Sequence, residues 1–239
     1  MPELLADDLH FIVSRLPRDV QAVVKKEPLF VAGGFIRATI AGERVADIDI
    51  LGPSKERLDY CAKSLAVDRH GRVHQTDNAY TVLAPPRIPV QFIHRWLFAD
   101  AATLIQSFDF TIAQAVVWWE PKEPEGNREY GVWCSLVGDR FYQDLAAKRL
   151  VYLCPARNED AGGSLLRVRK FLKAGYSIQP YAFGKVIARL VMGVKWDAMP
   201  QGMPEEEALG KVLTGLLREV DPLVIIDGVD LIDEHQIKE

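Results

Sequence analysis

The sequence predicts an α+β fold, in which a mixed sheet with flanking helices is followed by a small helical domain. Up to about residue 150, short apolar segments with the two-residue period of strands alternate with segments of helical period. From about Asp139 onward, the pattern is almost wholly helical. We therefore expect a sheet domain over residues 1–150 and a helical domain over residues 151–239.

The N-terminal part predicts helices and strands in alternation. Leu, Ile and Val at helical spacing over residues 1–26 predict two helices, which Pro17 separates because it lacks the amide hydrogen that a helix interior needs. The segment "LFVAG" (29–33) predicts a short buried strand, and a helix is expected from about 34 to 41. Another helix is expected after Ser54, whose hydroxyl can cap the first turn.

Between these helices, the segment "VADIDIL" (45–51) alternates strictly between two kinds of residue. Successive side chains of a strand point to opposite faces of the sheet. The segment therefore predicts a strand with Asp47 and Asp49 on one face and with Ile48 and Ile50 on the other.

The middle of the chain predicts more strands, and the C-terminal part predicts helices. Three β-prone segments suit an antiparallel extension of the same sheet: "RVHQT", "AYTVLA" and "IPVQFIH". A helix is expected over 99–108, a helix or a strand in "FTIAQAVVWW", a polar loop or hairpin tip over 120–129, and a strand over 130–137. Three helices are expected in the segments that begin "NEDAGG", "PYAFGK" and "PEEEAL".

Hydropathy predicts neither a membrane span nor export. The longest apolar runs, such as 112–119, fall far short of the ~20 residues that cross a bilayer. The N-terminus carries acids where a secretory signal carries basic residues. The three cysteines lack the close Cys/His spacing of a zinc site, so we interpret them as thiols in a reducing cytoplasm. A cytoplasmic protein is expected.

Charge is unevenly distributed along the chain. The formal net charge of −4 argues against a protein that coats nucleic acid indiscriminately. Residues 161–195 nevertheless contain seven Lys or Arg and no acid, whereas residues 204–239 contain ten acids and three basic residues. The basic segment, above all its part from Arg167 to Lys173, is either a solvated helix face or a contact for phosphates or RNA.

The segment "FVAGGFIRATIAGERVADIDIL" (30–51) combines two features of phosphoryl-transfer sites. Two carboxylates on alternate strand residues place their oxygens on one side, where they can bind one or two Mg²⁺ ions. A Gly-Gly pair at the start of a helix lets a triphosphate approach the backbone, and the helix N-terminus offers free amides. Either feature alone is weak, because Gly-Gly is common in turns and Asp-x-Asp recurs by chance.

Three segments in this order resemble the polymerase β nucleotidyltransferase superfamily, above all the head domain of bacterial poly(A) polymerases and CCA-adding enzymes. The first is "GGFIRATIAGERVADIDIL", which is similar to the Gly-Gly-x-Val-Arg-Asp and Asp-x-Asp signature. The second is "SFDFTIAQAV" (107–116), similar to Arg-Arg-Asp-Phe-Thr-Ile-Asn-Ala. The third begins "NEDAGGSLLRVRK" and is similar to the Glu-Asp-x-x-Arg helix. Together they cover residues 29–178.

The resemblance implies a polymerase-β-like mixed sheet and a Mg²⁺- or Mn²⁺-dependent nucleotidyltransferase that uses a nucleoside triphosphate (NTP). It implies roles for eight positions: Asp47 and Asp49 as metal ligands, Gly33 and Gly34 at the triphosphate, Arg37 as a phosphate contact, Asp109 at the sugar, and Asp160 and Arg167 near the base. Lys170, in the same helix as Arg167, is added as a nucleotide-binding candidate. The implied acceptor is an RNA 3′ end, such as that of a tRNA.

The sequence departs from this pattern at several positions. Ala38 replaces the Asp that follows the Arg, Ser107 and Phe108 replace two Arg, and Gln91 stands where a third carboxylate is expected. A Gln carbonyl can bind a cation but cannot accept a proton. Gln91 is therefore a candidate metal ligand, and Asp77 is an alternative carboxylate. Two other functions stay open: transfer to a protein or a small molecule, and a non-catalytic module that binds NTP or RNA. Asp109 could instead cap a helix.

Overall fold

The computed structural model describes residues 1–122, 130–155 and 161–218, and the chain divides into two compact units, Met1–Ala147 and Lys148–Glu239. The helices are α1 (Ala6–Arg15), α2 (Arg18–Lys26), α3 (Gly34–Ala41), α4 (Lys55–Asp68), α5 (Ala101–Gln106), α6 (Phe141–Ala146), α7 (Ala161–Lys173), α8 (Pro180–Met192) and α9 (Glu205–Arg218). The strands are β1 (Phe30–Ala32), β2 (Ile48–Leu51), β3 (Arg72–Gln75), β4 (Ala79–Leu83), β5 (Val90–Ile93), β6 (Ala115–Lys122), β7 (Tyr130–Val137), β8 (Arg149–Leu150) and β9 (Ser177–Ile178). Short 3₁₀ helices span Thr111–Ala113 and Trp196–Ala198.

In the described part of the first unit, seven strands form one mixed sheet in the order β3-β4-β5-β2-β1-β6-β7. The β2–β5 pair is parallel, and the other neighbours are antiparallel. This confirms the predicted α+β fold with a mixed sheet. The prediction of a purely antiparallel extension is wrong in one detail. Strand β5 pairs with β4 in antiparallel orientation, but it pairs with β2 in parallel orientation.

The two faces of the sheet have different coverings. On one face, α5 packs against β1 and β6 in an apolar cluster that includes Ala32, Val116 and Leu104. On the other face, α4 packs against β4 and β5, and the α2 residue Lys25 lies over the Trp119 ring. Asp49 is on the first face because it lies opposite Ala32. The Asp49 carboxylate therefore lies on the face against which α5 packs.

One strand boundary differs from the sequence prediction, and one segment adopts the second of its two predicted alternatives. The strand predicted from residue 45 begins at Ile48, so Asp47 lies immediately before β2. The segment "FTIAQAVVWW" is first a 3₁₀ turn and then the strand β6, whose pairing with both β1 and β7 outweighs the helical tendency of its alanines. Residues 123–129, which fall in the predicted polar loop, lie outside the described residues.

The second unit contains the three predicted helices and one short sheet that the sequence did not predict. Strand β8 pairs in parallel with β9. Helix α7 packs against α8 and α9. A Cβ on Gly162 would lie 2.3 Å from the carbonyl oxygen of Leu216, so only a glycine lets these two helices approach so closely there. The assignment of the predicted domains to a catalytic head and a helical neck stays a prediction.

Among the described helices, none is both long enough and apolar enough to cross a bilayer.

Candidate active site

Asp47 and Asp49 lie at one end of the sheet, beside the start of α3. In the antiparallel β1–β2 pair, Ala32 is the last residue of β1 and lies opposite Asp49, near the first residue of β2. Gly33 and Gly34 follow Ala32 directly, and Asp47 precedes β2. The two glycines and the two carboxylates therefore meet at the same end of adjacent strands. Both aspartates are half-buried, whereas Ile48 and Ile50 are fully buried on the other face.

Gln91 completes a polar row across this face. It lies opposite Asp49 in the parallel β2–β5 pair and is only 2% exposed. Its Nε2 donates a hydrogen bond to Asp47 Oδ2 at 3.3 Å. The Gln91 amide thus holds the Asp47 carboxylate in place, at the position where a third carboxylate was expected from the resemblance.

The turn from β1 into α3 requires a glycine at position 33. Gly33 is the N-cap of α3 with φ of +67° and ψ of −116°, a conformation that side chains of L-residues rarely adopt. Its amide donates to the Ala115 carbonyl at 2.9 Å, and its carbonyl accepts from the Arg37 amide at 3.1 Å. A Cβ added at Gly34 would meet nothing within 4 Å. The backbone at the start of α3 is therefore open at Gly34, where a helix N-terminus favours an anion.

Phe108 packs against this turn. A Cβ on Gly33 would lie 3.3 Å from Phe108 Cε1, and Phe108 also packs against the apolar cluster under α5. The position at which the resembling family carries an Arg is therefore adjacent to Gly33 in space, although 75 residues separate the two in the chain. An aromatic ring occupies it, so a phosphate bound there would meet an apolar wall and no positive charge.

Arg37, the predicted phosphate contact, forms an ion pair with Glu43. Its side chain is 11% exposed, and the Glu43 side chain is 18% exposed. Glu43 lies in the turn after α3, and its backbone amide donates a hydrogen bond to the Ala38 carbonyl at 2.8 Å. A phosphate at Arg37 would have to compete with this carboxylate. Sequence reasoning interpreted "AGER" only as a turn, and the six-residue separation of Arg37 and Glu43 is too weak a signal to find the pair.

Asp109 is 6% exposed, in the connection between α5 and the first 3₁₀ helix. The N-cap position of that 3₁₀ helix is occupied by Phe110, so Asp109 does not take it. Asp144, which sequence reasoning missed, fixes the segment that follows. It is fully buried and accepts hydrogen bonds from Thr111 Oγ1 at 2.7 Å and from two Arg140 nitrogens at 3.1 Å each. These bonds with Asp144 raise the pKa of Arg140.

The remaining predicted nucleotide contacts belong to the second unit. Arg167 is half-buried and Lys170 is exposed, both on α7. Asp160 lies outside the described residues.

The donor set at Asp47 and Asp49 fits Mg²⁺ or Mn²⁺. Mg²⁺ prefers oxygen ligands and commonly takes one or two carboxylates together with substrate phosphates and water. Within the described ranges, no three His, Cys, Asp or Glu side chains cluster as a metal site. A metal bound by these two aspartates would therefore need other oxygen ligands, which substrate phosphates and water can provide.

Known structures with a similar fold cover nearly all of this chain. The Thermotoga maritima CCA-adding enzyme complexed with tRNA matches with 17% identity and a TM-score of 0.55, over 98% of this chain and 55% of that one. A CCA-adding enzyme in apo form II matches with 15% identity and a TM-score of 0.52, over 96% and 57%. A complex of CCA-adding enzyme with CTP matches with 17% identity and a TM-score of 0.50, over 95% and 53%.

These matches confirm the predicted polymerase-β-like nucleotidyltransferase fold, and at such identities they establish the fold alone. The chain spans about half the length of the structures that it matches. No curated protein matches it. The profile described as "Gad2: Gabija anti-defense 2 family protein" matches residues 3–148, which carry the sheet, the glycine turn and both aspartates. The chain therefore belongs to the Gabija anti-defense 2 family.

Proposed function

We propose that this protein is a metal-dependent nucleotidyltransferase that counteracts Gabija defence by moving a nucleoside monophosphate from an NTP to an acceptor hydroxyl. The observation that carries the proposal is the meeting of Asp47 and Asp49 with the Gly33–Gly34 turn at one end of adjacent strands. The family description supports the counter-defence role.

The proposed chemistry is a single displacement at phosphorus. The acceptor hydroxyl oxygen forms a bond to the α-phosphorus, the bond from that phosphorus to the bridging oxygen of the β-phosphate breaks, and pyrophosphate leaves. Asp47 and Asp49 would hold Mg²⁺ or Mn²⁺, which would neutralise phosphate charge and lower the pKa of the attacking hydroxyl. The amides at the start of α3 bind phosphate oxygens. The amide of Gln91 cannot accept the hydroxyl proton, which passes to an aspartate carboxylate or to water.

Two acceptors are supported by different observations. An RNA 3′ end is supported by the match to a CCA-adding enzyme complexed with tRNA and by the basic helix that contains Arg167–Lys173. A Gabija protein as acceptor is supported by the family description, which names Gabija as the defence that is counteracted. The chain spans about half of the CCA-adding enzyme in that complex, so the acceptor stays part of the proposal.

The test is a label-transfer experiment with the full chain. Each of the four NTPs, labelled at the α-phosphate, is incubated with Mg²⁺ or Mn²⁺ and with separate pools of RNA, Gabija proteins and small molecules. Retention of label on one pool, with release of pyrophosphate, supports transfer and identifies the acceptor.

The matched variants are Asp47→Asn with Asp49→Asn, and Asp68→Asn alone. Asp68 is an exposed acid at the end of α4. We expect the double variant to lose at least about 10²-fold in rate because the metal loses both carboxylates, while Asp68→Asn transfers label normally. Unchanged transfer by the double variant would show that these aspartates do not hold the metal.

A non-catalytic module that binds NTP or RNA is a second candidate. It is supported by the absence of a third carboxylate at Gln91 and by the Phe108 ring against Gly33. For this candidate, Mg²⁺-dependent NTP binding is retained without transfer to any pool, and the double aspartate variant still counteracts Gabija in cells.

A further inference from the structure

Helix α8 presents an exposed apolar face. Its buried side consists of Val186 and Leu190, followed by Val194. The opposite side is exposed and carries four large apolar side chains: Tyr181 (76% exposed), Ile187 (41%), Val191 (39%) and Met192 (80%). At 3.6 residues per turn these four fall on one side of the helix. We call them the α8 face.

The charges on α8 and on the three residues that follow it have one sign. Residues 180–195 contain Lys185, Arg189 and Lys195 and no acid. Lys185 is exposed and its ammonium lies 4.6 Å from the centre of the Tyr181 ring. An occupant of this face should therefore be apolar with acidic residues interspersed, since burial of apolar surface and opposite charge both favour it.

One part of the chain outside the described residues has that composition. Residues 219–239 contain seven acids, one Lys and nine Val, Leu or Ile residues. They follow α9, which packs against α7 and α8 in the same unit. An extended chain of this length reaches up to about 70 Å, whereas α8 is about 20 Å long. Residues 219–239 are therefore long enough to extend along the whole of α8.

We propose that residues 219–239 bind the α8 face of their own chain. A second copy of α8 is a poorer occupant, because its Lys185 and Arg189 would lie against Lys185 and Arg189 of the first copy and the like charges would repel. RNA is poorer too, because the α8 face consists of four large apolar side chains and has only the exposed ammonium groups of Lys185 and Lys195 beside it.

The test places a photo-crosslinking benzoylphenylalanine at Met192 of the full chain, with Tyr60 as a matched exposed position on α4. Equal amounts of isotopically light and heavy protein are mixed before irradiation, and the crosslinked peptides are identified by mass spectrometry. We expect Met192 to crosslink to residues 219–239 in light–light and heavy–heavy pairs only, and Tyr60 to give no such product. Light–heavy products, or crosslinks from Met192 to other segments alone, overturn the proposal.

A second pair of variants tests the apolar contact itself. Ile225→Asp with Ile226→Asp should reduce the Met192 crosslink about tenfold, which corresponds to a loss of about 1.4 kcal/mol of binding. Ile225→Leu with Ile226→Leu should keep it. Circular dichroism checks that all variants fold. An unchanged crosslink yield in the folded Asp variant would contradict docking through these residues.

Discussion

Gln91 is the residue at which this site differs most from a three-carboxylate metal site. It is buried, lies opposite Asp49 and donates its amide to Asp47. A carboxylate at this position would repel Asp47 when no metal is bound and would bind the metal when it is present. The amide therefore keeps the site stable without a metal, at the loss of one carboxylate ligand.

The variant Gln91→Glu tests this role of the amide. Without metal, a buried carboxylate beside the half-buried one of Asp47 should cost about 2 kcal/mol and lower Tm by roughly 4–8 °C. Mg²⁺ should restore most of that loss because it neutralises the carboxylates. Thermal unfolding in EDTA and in Mg²⁺ measures both values. The control Gln91→Met should lower Tm equally with and without Mg²⁺. If Mg²⁺ does not raise the Tm of Gln91→Glu, no metal binds at this position.

Phe108 explains why few positive charges face the glycine turn. Its ring packs against Gly33, and Arg37 forms an ion pair with Glu43. The variant Phe108→Arg should tighten NTP binding by at least about tenfold, since one charge-assisted hydrogen bond contributes about 1.5–3 kcal/mol. Calorimetric titration with a non-hydrolysable NTP and Mg²⁺ measures it. Phe108→Leu serves as the neutral control, and equal affinities of the two variants would show that phosphates do not reach this position.

At the scale of elements, the turn between β1 and α3 determines the geometry of the site. Gly33→Ala should lower the free energy of unfolding by about 1–3 kcal/mol because alanine is strained at φ of +67° and its Cβ contacts Phe108. Gly34→Ala is the control, since its Cβ would meet nothing within 4 Å. Urea unfolding compares the two. Equal losses of stability would contradict the strain at Gly33, and a loss of NTP binding in Gly34→Ala alone would indicate close approach of the phosphates.

A second set of element contacts connects α2, the end of α4 and the loop before β5. Asp19 accepts hydrogen bonds from Arg69 at 2.8 and 3.1 Å and from Arg87 at 3.1 Å, and Arg69 also donates to the Ile88 carbonyl. The Arg69 side chain is fully buried. The hydrogen bond from Arg69 lowers the pKa of Asp19 below its ordinary value of 3.8.

A depressed carboxylate pKa gives a stabilisation that is complete above the unfolded pKa and lost as pH falls through the folded pKa. Asp19→Asn should therefore cost about 1.5–3 kcal/mol at pH 7, and the difference from the wild type should shrink below about pH 4. Urea unfolding at pH 7, 5 and 3 measures it, with Asp68→Asn as the control. A difference that stays constant down to pH 3 would show that Asp19 ionisation does not contribute.

For the whole molecule, the two units differ in charge and in the evidence for their roles. The family profile covers residues 3–148, which correspond closely to the first unit. The basic helix α7 belongs to the second unit, outside that profile. Nucleotide chemistry is therefore proposed for the first unit, and acceptor binding through α7 for the second.

The variant Lys173→Glu tests the proposed RNA contact of α7. Lys173 is exposed at the end of α7, and Lys26 is a matched exposed lysine at the end of α2. If RNA contacts α7, Lys173→Glu should weaken RNA binding and reduce the slope of log affinity against log salt by about 1, while NTP binding is unchanged. Fluorescence anisotropy at several salt concentrations measures the slope. An equal effect of Lys26→Glu would indicate only a change in net charge.

The features that sequence alone could predict are those that depend on neighbouring residues. The alternation around Ile48 and Ile50 placed both aspartates on one face, the glycine pair predicted the turn into α3, and periodicity predicted the helices α7, α8 and α9. The order of three motifs predicted the superfamily fold, which the structural matches confirm. Periodicity and turn chemistry act over a few residues, and for that reason a single sequence reveals them.

Only the tertiary structure decided which distant residues meet at the site. Gln91 reaches Asp47 through the parallel β2–β5 pairing, Phe108 reaches Gly33 across the sheet domain, and Asp144 is buried against Thr111. The segment from residue 115 to 119 is a strand because β1 and β7 pair with it on both sides. Such contacts depend on the pairing and packing of elements that are far apart in the chain, and no local pattern in the sequence encodes them.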